Sequence, residues 1–113
     1  MNIQIYGRSK SFDTQKAQRY FKERQIRFQY IDLKVKGMSL GEIRKVRAAV
    51  GSLDAMIDEK ARQSEDSWML YLGDPRTIEE KLAEHPEFLK APIVRNGAQA
   101  TVGFCPEVWK QWE

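Results

Sequence analysis

Cysteine is almost absent from this sequence, and its scarcity excludes several classes of protein. Cys105 is the one cysteine among 113 residues, so the chain cannot form an internal disulfide. The same count excludes a C-x-x-C redox pair and a cysteine-rich zinc site. Any thiol cycle would therefore need a second thiol from another molecule, such as glutathione.

Long apolar runs and clustered metal-binding residues are also missing. No apolar run approaches the roughly 18–20 residues that span a bilayer, and the first residues lack a basic-then-apolar signal pattern. We therefore predict a cytoplasmic protein without a membrane partner. The single histidine, and the absence of metal-ligand spacing among His, Cys, Asp and Glu, predict no metal and no bound cofactor.

The charge and size of the chain indicate a globular protein. Hydrophobic residues make up 42% and charged residues 31% of the chain, and the net charge is a mild +3. Lysine and arginine are too scattered to indicate direct nucleic-acid binding. The length fits one domain spanning residues 1–113.

The first seventeen residues predict a strand, a tight loop and the start of a helix. Ile3 and Ile5 alternate with more polar neighbours, which is typical of a strand with one buried face. Gly7 tolerates backbone angles that other residues avoid, so it permits a sharp exit from this strand. The loop after it leads into a helix N-terminus, where free backbone N–H groups and the helix dipole favour an anion or a thiolate.

A helix and a second strand follow this loop. Ser11 and Asp13 are both suited to cap the helix, which is predicted to run to about Arg24 with Ala17, Tyr20 and Phe21 on its buried stripe. Alternation within residues 25–32 predicts the second strand. A helix between two strands predicts a parallel pair with a right-handed crossover.

The middle of the chain has helical signals. Ser39 and Glu42 form the sequence of a capping box, and Gly51 is suited to end that helix. Residues 68–72 are apolar and predict a short helical turn. Asp74-Pro75 marks the start of a further helix, which should end near His85 because Pro86 follows.

The last third predicts two strands and a helix. The sequence predicts a strand at residues 91–95 and a return strand at residues 98–103. Asn96-Gly97 between them predicts a two-residue hairpin turn. Pro106 is suited to open a final helix. The aromatic residues predicted to pack in the core here are Phe104, Trp109 and Trp112.

This order of elements and three motifs resemble the ArsC/Spx family, which comprises glutaredoxin-linked arsenate reductases and their regulatory relatives. Ile5-Tyr-Gly7 with Ser11-x-x-Thr14-x-Lys16-Ala17 is similar to the family's Y-G-x-x-x-C-x-x-C-x-K-A. Leu89-Lys-Ala-Pro-Ile-Val94 is similar to L-x-R-P-I-V, and Val102-Gly-Phe-Cys-Pro-Glu107 with Trp109 to V-G-F-D-P-E-x-W. The resemblance implies a thioredoxin-like α/β fold: a βαβ unit, a helical insert at about residues 39–90 and a ββα unit, with a mixed four-stranded sheet flanked by helices.

The departures from the family pattern fall at its reactive positions. The family's nucleophilic cysteine aligns with Ser11, and the second cysteine of its redox-sensing members aligns with Thr14. Its three oxyanion-binding arginines align near Lys60 or Arg62, with Ala91, and with Cys105. The resemblance also implies that Pro92 is a cis-proline facing the Ser11 loop.

Two side chains are candidates for chemistry. A serine hydroxyl needs an adjacent general base to act as a nucleophile. The only histidine, His85, lies in the insert. The alternative interpretation of Ser11 is a helix cap. Cys105 falls at the predicted N-cap of the last helix, which predicts some thiolate character and a redox role, against the alternative of an unreactive half-buried thiol.

Basic residues near the first loop predict an oxyanion site. Arg8, Lys10, Lys16 and Lys60 could surround the helix N-terminus, with Thr14 and Pro92 completing the pocket. Scattered surface lysines are the competing interpretation.

Two functions fit these observations. The first is a weakly active or inactive arsenate reductase-like thiol oxidoreductase, with glutathione or glutaredoxin as an external reductant and an oxyanion as substrate. The second is a non-catalytic, Spx-like interaction protein that binds RNA polymerase or another protein.

Overall fold

The computed structural model describes residues 1–62 and 74–113 of the chain. The predicted helical turn at residues 68–72 lies outside the described residues. The described elements, in chain order, are β1 (Ile3–Gly7), α1 (Phe12–Glu23), β2 (Phe28–Asp32), α2 (Leu40–Val50), a 3-10 turn (Asp54–Met56), α3 (Glu59–Arg62), α4 (Pro75–Glu84), a 3-10 turn (Pro86–Phe88), β3 (Ile93–Asn96), β4 (Gln99–Val102) and α5 (Pro106–Trp112).

The four strands form one mixed sheet in the order β2-β1-β3-β4. β1 runs parallel to β2, with Ile5 opposite Tyr30, and antiparallel to β3, with Ile5 opposite Val94. The predicted parallel pair and the predicted thioredoxin-like topology are confirmed. β1 is central, so the loop that follows Gly7 leaves from the middle of the sheet.

β1 is buried on its second face at Tyr6 as well as on the face of Ile3 and Ile5, which corrects the prediction of a single buried face. Ile3 and Ile5 pack under α1 and α5 together with Trp109, whereas Tyr6 points to the opposite face and is only 2% exposed. Helices α2 and α4 of the insert cover that second face. Because successive strand residues alternate between faces, a strand covered on both sides loses its polar–apolar contrast.

Because of the C-terminal cap of α1, β2 begins later in the sequence than predicted. Gln25 adopts a left-handed conformation with φ 59°, and the Ile26 N–H donates to the Phe21 carbonyl at 2.9 Å while the Gln25 N–H donates to the Lys22 carbonyl at 3.0 Å. These bonds form a Schellman cap, which satisfies the last carbonyls of the helix. The cap uses residues that were predicted to begin the strand, so β2 starts only at Phe28.

The capping box of α2 is confirmed, and its glutamate has a second role. Glu42 accepts from the Ser39 N–H at 2.9 Å, and its Oε2 accepts a hydrogen bond from the Tyr6 hydroxyl. The Arg95 guanidinium lies 3.6 Å from the same carboxylate. Burial raises the pKa of Glu42, but the hydrogen bonds from Tyr6 and Ser39 and the charge of Arg95 outweigh it and lower that pKa overall. This network ties β1, α2 and β3 together.

The β3–β4 hairpin turns one residue later than predicted. Asn96 pairs with Gln99, so the two loop residues are Gly97 and Ala98 instead of Asn96 and Gly97. Gly97 has φ 62°, whereas Ala98 is not among the residues with positive φ. That combination fits a type II′ turn, which places glycine first. Asn96 therefore stays in the strand, where its Oδ1 accepts from the Asn2 N–H at 3.2 Å.

Helix α5 is held by one buried tryptophan. Trp109 is fully buried between Tyr20 and Phe21 of α1, and its Nε1 donates to Thr101 Oγ1 at 2.8 Å. The prediction that Phe104 belongs to the core is wrong, because its side chain is 38% exposed, although its ring still packs against Trp109 in a T-shaped geometry. No helix in the described ranges is long and apolar enough to cross a membrane.

Candidate functional site

The loop between β1 and α1 is built on a close contact beneath Gly7. A Cβ atom at Gly7 would lie 2.3 Å from Thr14 Cγ2, so no larger residue fits there without movement. The Arg8 N–H donates to Thr14 Oγ1 at 3.3 Å, and the Ser11 N–H donates to the Arg8 carbonyl at 3.0 Å. Glycine is thus required by the approach of Thr14 and not by the unusual backbone angle that the sequence suggested.

Thr14 is fully buried inside this loop. Its hydroxyl already accepts the Arg8 N–H, and its methyl group packs beneath Gly7. The assignment of Thr14 to an anion-binding set is therefore corrected, because the side chain does not reach solvent. Thr14 instead supports the loop from within.

Ser11 is the N-cap residue of α1. Its backbone is extended, with φ −83° and ψ 122°, and its Oγ accepts from the Thr14 N–H at 3.2 Å. Among the described residues no hydrogen bond joins Ser11 to His85, the one histidine that could serve as its base: Ser11 Oγ bonds to Thr14, and His85 Nδ1 lies 3.1 Å from Glu87 Oε1. The Ser11 hydroxyl is thus placed as a helix cap, where the N–H groups of the first turn converge.

Cys105 occupies the N-cap position of α5 but does not cap it. Its Sγ donates to the Val102 carbonyl at 3.4 Å, and no side-chain capping bond is present. Burial, reinforced by the charge of Glu107, raises the pKa of the Cys105 thiol above its ordinary value. The structure does not support the predicted thiolate character, because burial and the charge of Glu107 outweigh the hydrogen bond to Thr101 and the charge of Lys90, which lower the pKa.

The start of α1 lies near the loop that carries Cys105. Lys16 Nζ stands 5.8 Å from the centre of the Phe104 ring, and Asp13 is close enough to influence the Cys105 thiol. The Ala91–Pro92 peptide bond is cis, and Pro92 is buried, with its carbonyl accepting from the Gly103 N–H at 2.8 Å. That Pro92 contacts the Ser11 loop stays a prediction of the resemblance.

The predicted basic residues lie on different elements of the fold. Lys60 lies on α3, where its N–H donates to Asp58 Oδ1 at 3.3 Å. Arg8 and Lys10 instead line a cleft of about 320 Å³ on the β2 side of the loop, and Ser11 is not part of its lining. Arg8 is held there because its Nη2 donates to the Pro86 carbonyl at 2.8 Å. The other lining residues are Ser9, Asp32, Leu33, Lys34, Pro86 and Glu87.

Sequence reasoning missed two features of this region. Lys34 and Asp32 join the cleft only because β2 ends beside β1, which is a consequence of the sheet register. Phe12, directly after Ser11, is 78% exposed at the first turn of α1. A phenylalanine in the first turn of an amphipathic helix, outside its buried stripe, was the signal that could have identified this exposed aromatic.

No group of three or more His, Cys, Asp or Glu side chains that could hold a metal ion occurs within residues 1–62 and 74–113.

Comparison with solved structures identifies the architecture. A protein from Bacteroides fragilis described as ArsC family related has a TM-score of 0.87 at 18% identity, over 100% of this chain and 98% of that chain. The fold is thioredoxin-like. An arsenate reductase from Vibrio cholerae has a TM-score of 0.80 at 25% identity, over 98% and 97% of the two chains. The glutaredoxin-like NrdH-redoxin from Escherichia coli has a TM-score of 0.53 at 17% identity, over 100% and 96%.

No protein-family model and no curated protein sequence matches the chain. The thioredoxin-like fold is therefore shared with ArsC-related proteins at low sequence identity.

Proposed function

We propose that this protein is an ArsC-type thiol oxidoreductase relative that retains the scaffold, lacks the thiol step and acts by binding. The observation that carries the proposal is Ser11 as the N-cap of α1; in the resemblance to the family, this residue aligns with the nucleophilic cysteine. The similarity to the arsenate reductase from Vibrio cholerae over nearly the whole chain supports the family assignment.

Serine at this position cannot complete a thiol redox cycle. Reduction of an oxyanion by thiols moves two electrons and leaves a disulfide, and the cycle closes when another thiol attacks that disulfide. A hydroxyl forms no disulfide, so the electrons would have no source at Ser11. As a nucleophile it would also need a base, and no hydrogen bond links Ser11 to His85 in the described part of the chain.

Cys105 is a weak replacement for the missing thiol. The thiolate is the reactive form of cysteine, and burial raises the pKa of this thiol, so little thiolate exists at neutral pH. As the one cysteine of the chain it cannot resolve a disulfide internally. A redox cycle through Cys105 would depend on glutathione or glutaredoxin for every further thiol.

We expect no arsenate reduction above the protein-free rate when the chain is assayed with glutathione and glutaredoxin. Oxidation of NADPH through glutathione reductase gives the readout, and an active arsenate reductase serves as the positive control. Cys105→Ala is the matched variant, because it removes the remaining thiol. Turnover that survives Cys105→Ala would show that Ser11 is not inert, and turnover that disappears with it would assign a redox role to Cys105.

An exposed aromatic favours protein binding as the activity that remains. Phe12 follows Ser11 and is 78% exposed, and Phe104 is partly exposed beneath Lys16 on the neighbouring loop. Exposed aromatics beside basic side chains are typical of protein-interaction hot spots. This arrangement supports an interaction protein of the Spx type, with RNA polymerase as the partner to be tested.

A pull-down with purified RNA polymerase subunits is expected to capture a subunit, and Phe12→Ala is expected to reduce capture by about tenfold or more. Val35→Ala is the matched control, because Val35 is also an exposed apolar residue, at 85%, but lies in the connector after β2. Equal capture by wild type and Phe12→Ala would exclude this surface, and absence of capture would exclude this partner.

A further inference from the structure

The cleft beside Arg8 lies where the two parallel strands end. Gly7 and Asp32 are paired at the carboxyl ends of β1 and β2, and the next residues of both strands line the cleft. In open α/β sheets, ligands bind outside the carboxyl ends of the strands, where the connections diverge. Here the neighbour on the other side of β1 is the antiparallel strand β3, so β1 and β2 provide the parallel edge of the sheet.

Hydrogen bonds hold the walls of this cleft in place. The Leu33 N–H donates to the Gly7 carbonyl at 2.9 Å, and the Lys34 N–H donates to Asp32 Oδ1 at 2.9 Å. The bond from Arg8 Nη2 to the Pro86 carbonyl closes the opposite wall. The cleft is thus formed without a ligand, which lowers the entropic cost of binding.

The lining carries both signs of charge around an apolar patch. Arg8, Lys10 and Lys34 contribute three cations, and Asp32 and Glu87 contribute two anions. A purely anionic ligand would face the two carboxylates, and a purely apolar ligand would remove charged groups from water without giving them new partners. A ligand that carries both an anion and a cation can be complementary to both sets.

We propose that this cleft binds a short zwitterionic peptide of two or three residues. The free carboxylate pairs with the basic side chains, the free ammonium pairs with the acidic ones, and an apolar side chain packs against Pro86, above the buried Leu33. The volume of about 320 Å³ lies at the small end of the range of small-molecule sites. Ser11 does not line the cleft, so the proposal does not rest on the fate of the thiol chemistry.

The test is a titration of the full-length, 15N-labelled chain with three forms of one peptide, followed by NMR. The probes are Gly-Leu-Gly, its N-acetyl form and its C-terminal amide. We expect Gly-Leu-Gly to shift the amide signals of Arg8–Lys10 and Asp32–Lys34, and each blocked form to bind about three- to fivefold more weakly.

Two variants assign the two ends of the peptide. Lys34→Gln is expected to weaken the binding of Gly-Leu-Gly and to make its affinity equal to that of the amide. Glu87→Gln is expected to make the affinity of Gly-Leu-Gly equal to that of the N-acetyl form. Lys22→Gln and Glu23→Gln, exposed positions on α1, are the matched controls and should leave all affinities unchanged. Equal affinity for the three peptides, or no shift in the cleft up to about 10 mM, would overturn the proposal.

Discussion

Ser11→Cys, introduced together with Cys105→Ser, is expected to give a thiol with a pKa below about 7.5. The reason is geometric. Residue 11 caps α1, a helix of 12 residues, and its side-chain oxygen already accepts from the Thr14 N–H at 3.2 Å. A thiolate sulfur at the same place would accept that bond and lie at the positive end of the helix dipole, and both effects favour the charged form.

The pH dependence of iodoacetamide alkylation measures this pKa directly. The double variant carries one thiol, at position 11. The unmodified chain, whose one thiol is Cys105, is the reference, because burial raises the pKa of the Cys105 thiol. The rate for position 11 should reach half its maximum below about pH 7.5, well before the rate for Cys105 does. A midpoint near pH 8.5, the ordinary value, would show that the loop does not activate a thiol.

The same variant separates the two departures that the resemblance to the ArsC pattern implies for this chain. If the introduced thiol is activated and also reduces arsenate with glutathione and glutaredoxin, only the nucleophile is missing from the natural chain. If it is activated but gives no turnover, the loss lies in the oxyanion-binding arginines, whose aligned positions include Ala91 and Cys105. Loop activation and oxyanion recognition are thereby tested independently.

Local sequence signals predicted most of the fold because they act within a few residues. The Ser39–Glu42 capping box, the Asp74-Pro75 helix start and the helix stop at Gly51 all occur as predicted. One error came where two local signals competed. Asn96-Gly97 is a strong hairpin signal, but a type II′ turn with Gly97 first also satisfies the chain and leaves Asn96 paired in β3.

The site was harder to predict because its properties depend on tertiary packing. Thr14 is predicted in the oxyanion pocket, yet the folded chain buries it completely. Cys105 read as an activated N-cap, yet burial and Glu107 raise its pKa. Lys34 joins Arg8 in one cleft only through the register of β1 and β2. None of these effects is encoded in neighbouring residues alone.

A second large effect is expected at a buried carboxylate between α2 and α4. The Glu79 side chain is only 6% exposed; Arg47 Nη1 lies 3.0 Å from its Oε2, and Arg44 Nε lies 3.5 Å from its Oε1. The sequence offered a weak signal, because Glu79 is three residues before the buried Leu82 and the two arginines are spaced three apart on α2.

Replacing both arginines, as Arg44→Met with Arg47→Met, is expected to lower the free energy of unfolding by about 3–5 kcal/mol. Methionine keeps an apolar stem like that of arginine, so the main effect is that the buried Glu79 carboxylate loses its charged partners. Adding Glu79→Met should restore most of the stability, since an apolar side chain of similar volume needs no partner. Urea unfolding of the natural chain and the variants gives these differences.

The single variant Arg44→Met serves as the control, because Arg47 still pairs with Glu79 at 3.0 Å and the expected loss is about 1 kcal/mol or less. A triple variant as unstable as the double would contradict the mechanism, since the loss would then arise from packing of the arginine stems and not from an unpaired carboxylate. Helices α2 and α4 cover the face of the sheet opposite α1, so the ion pairs of Glu79 stabilise the insert. The Ser11 loop is instead stabilised by the contact between Gly7 and Thr14.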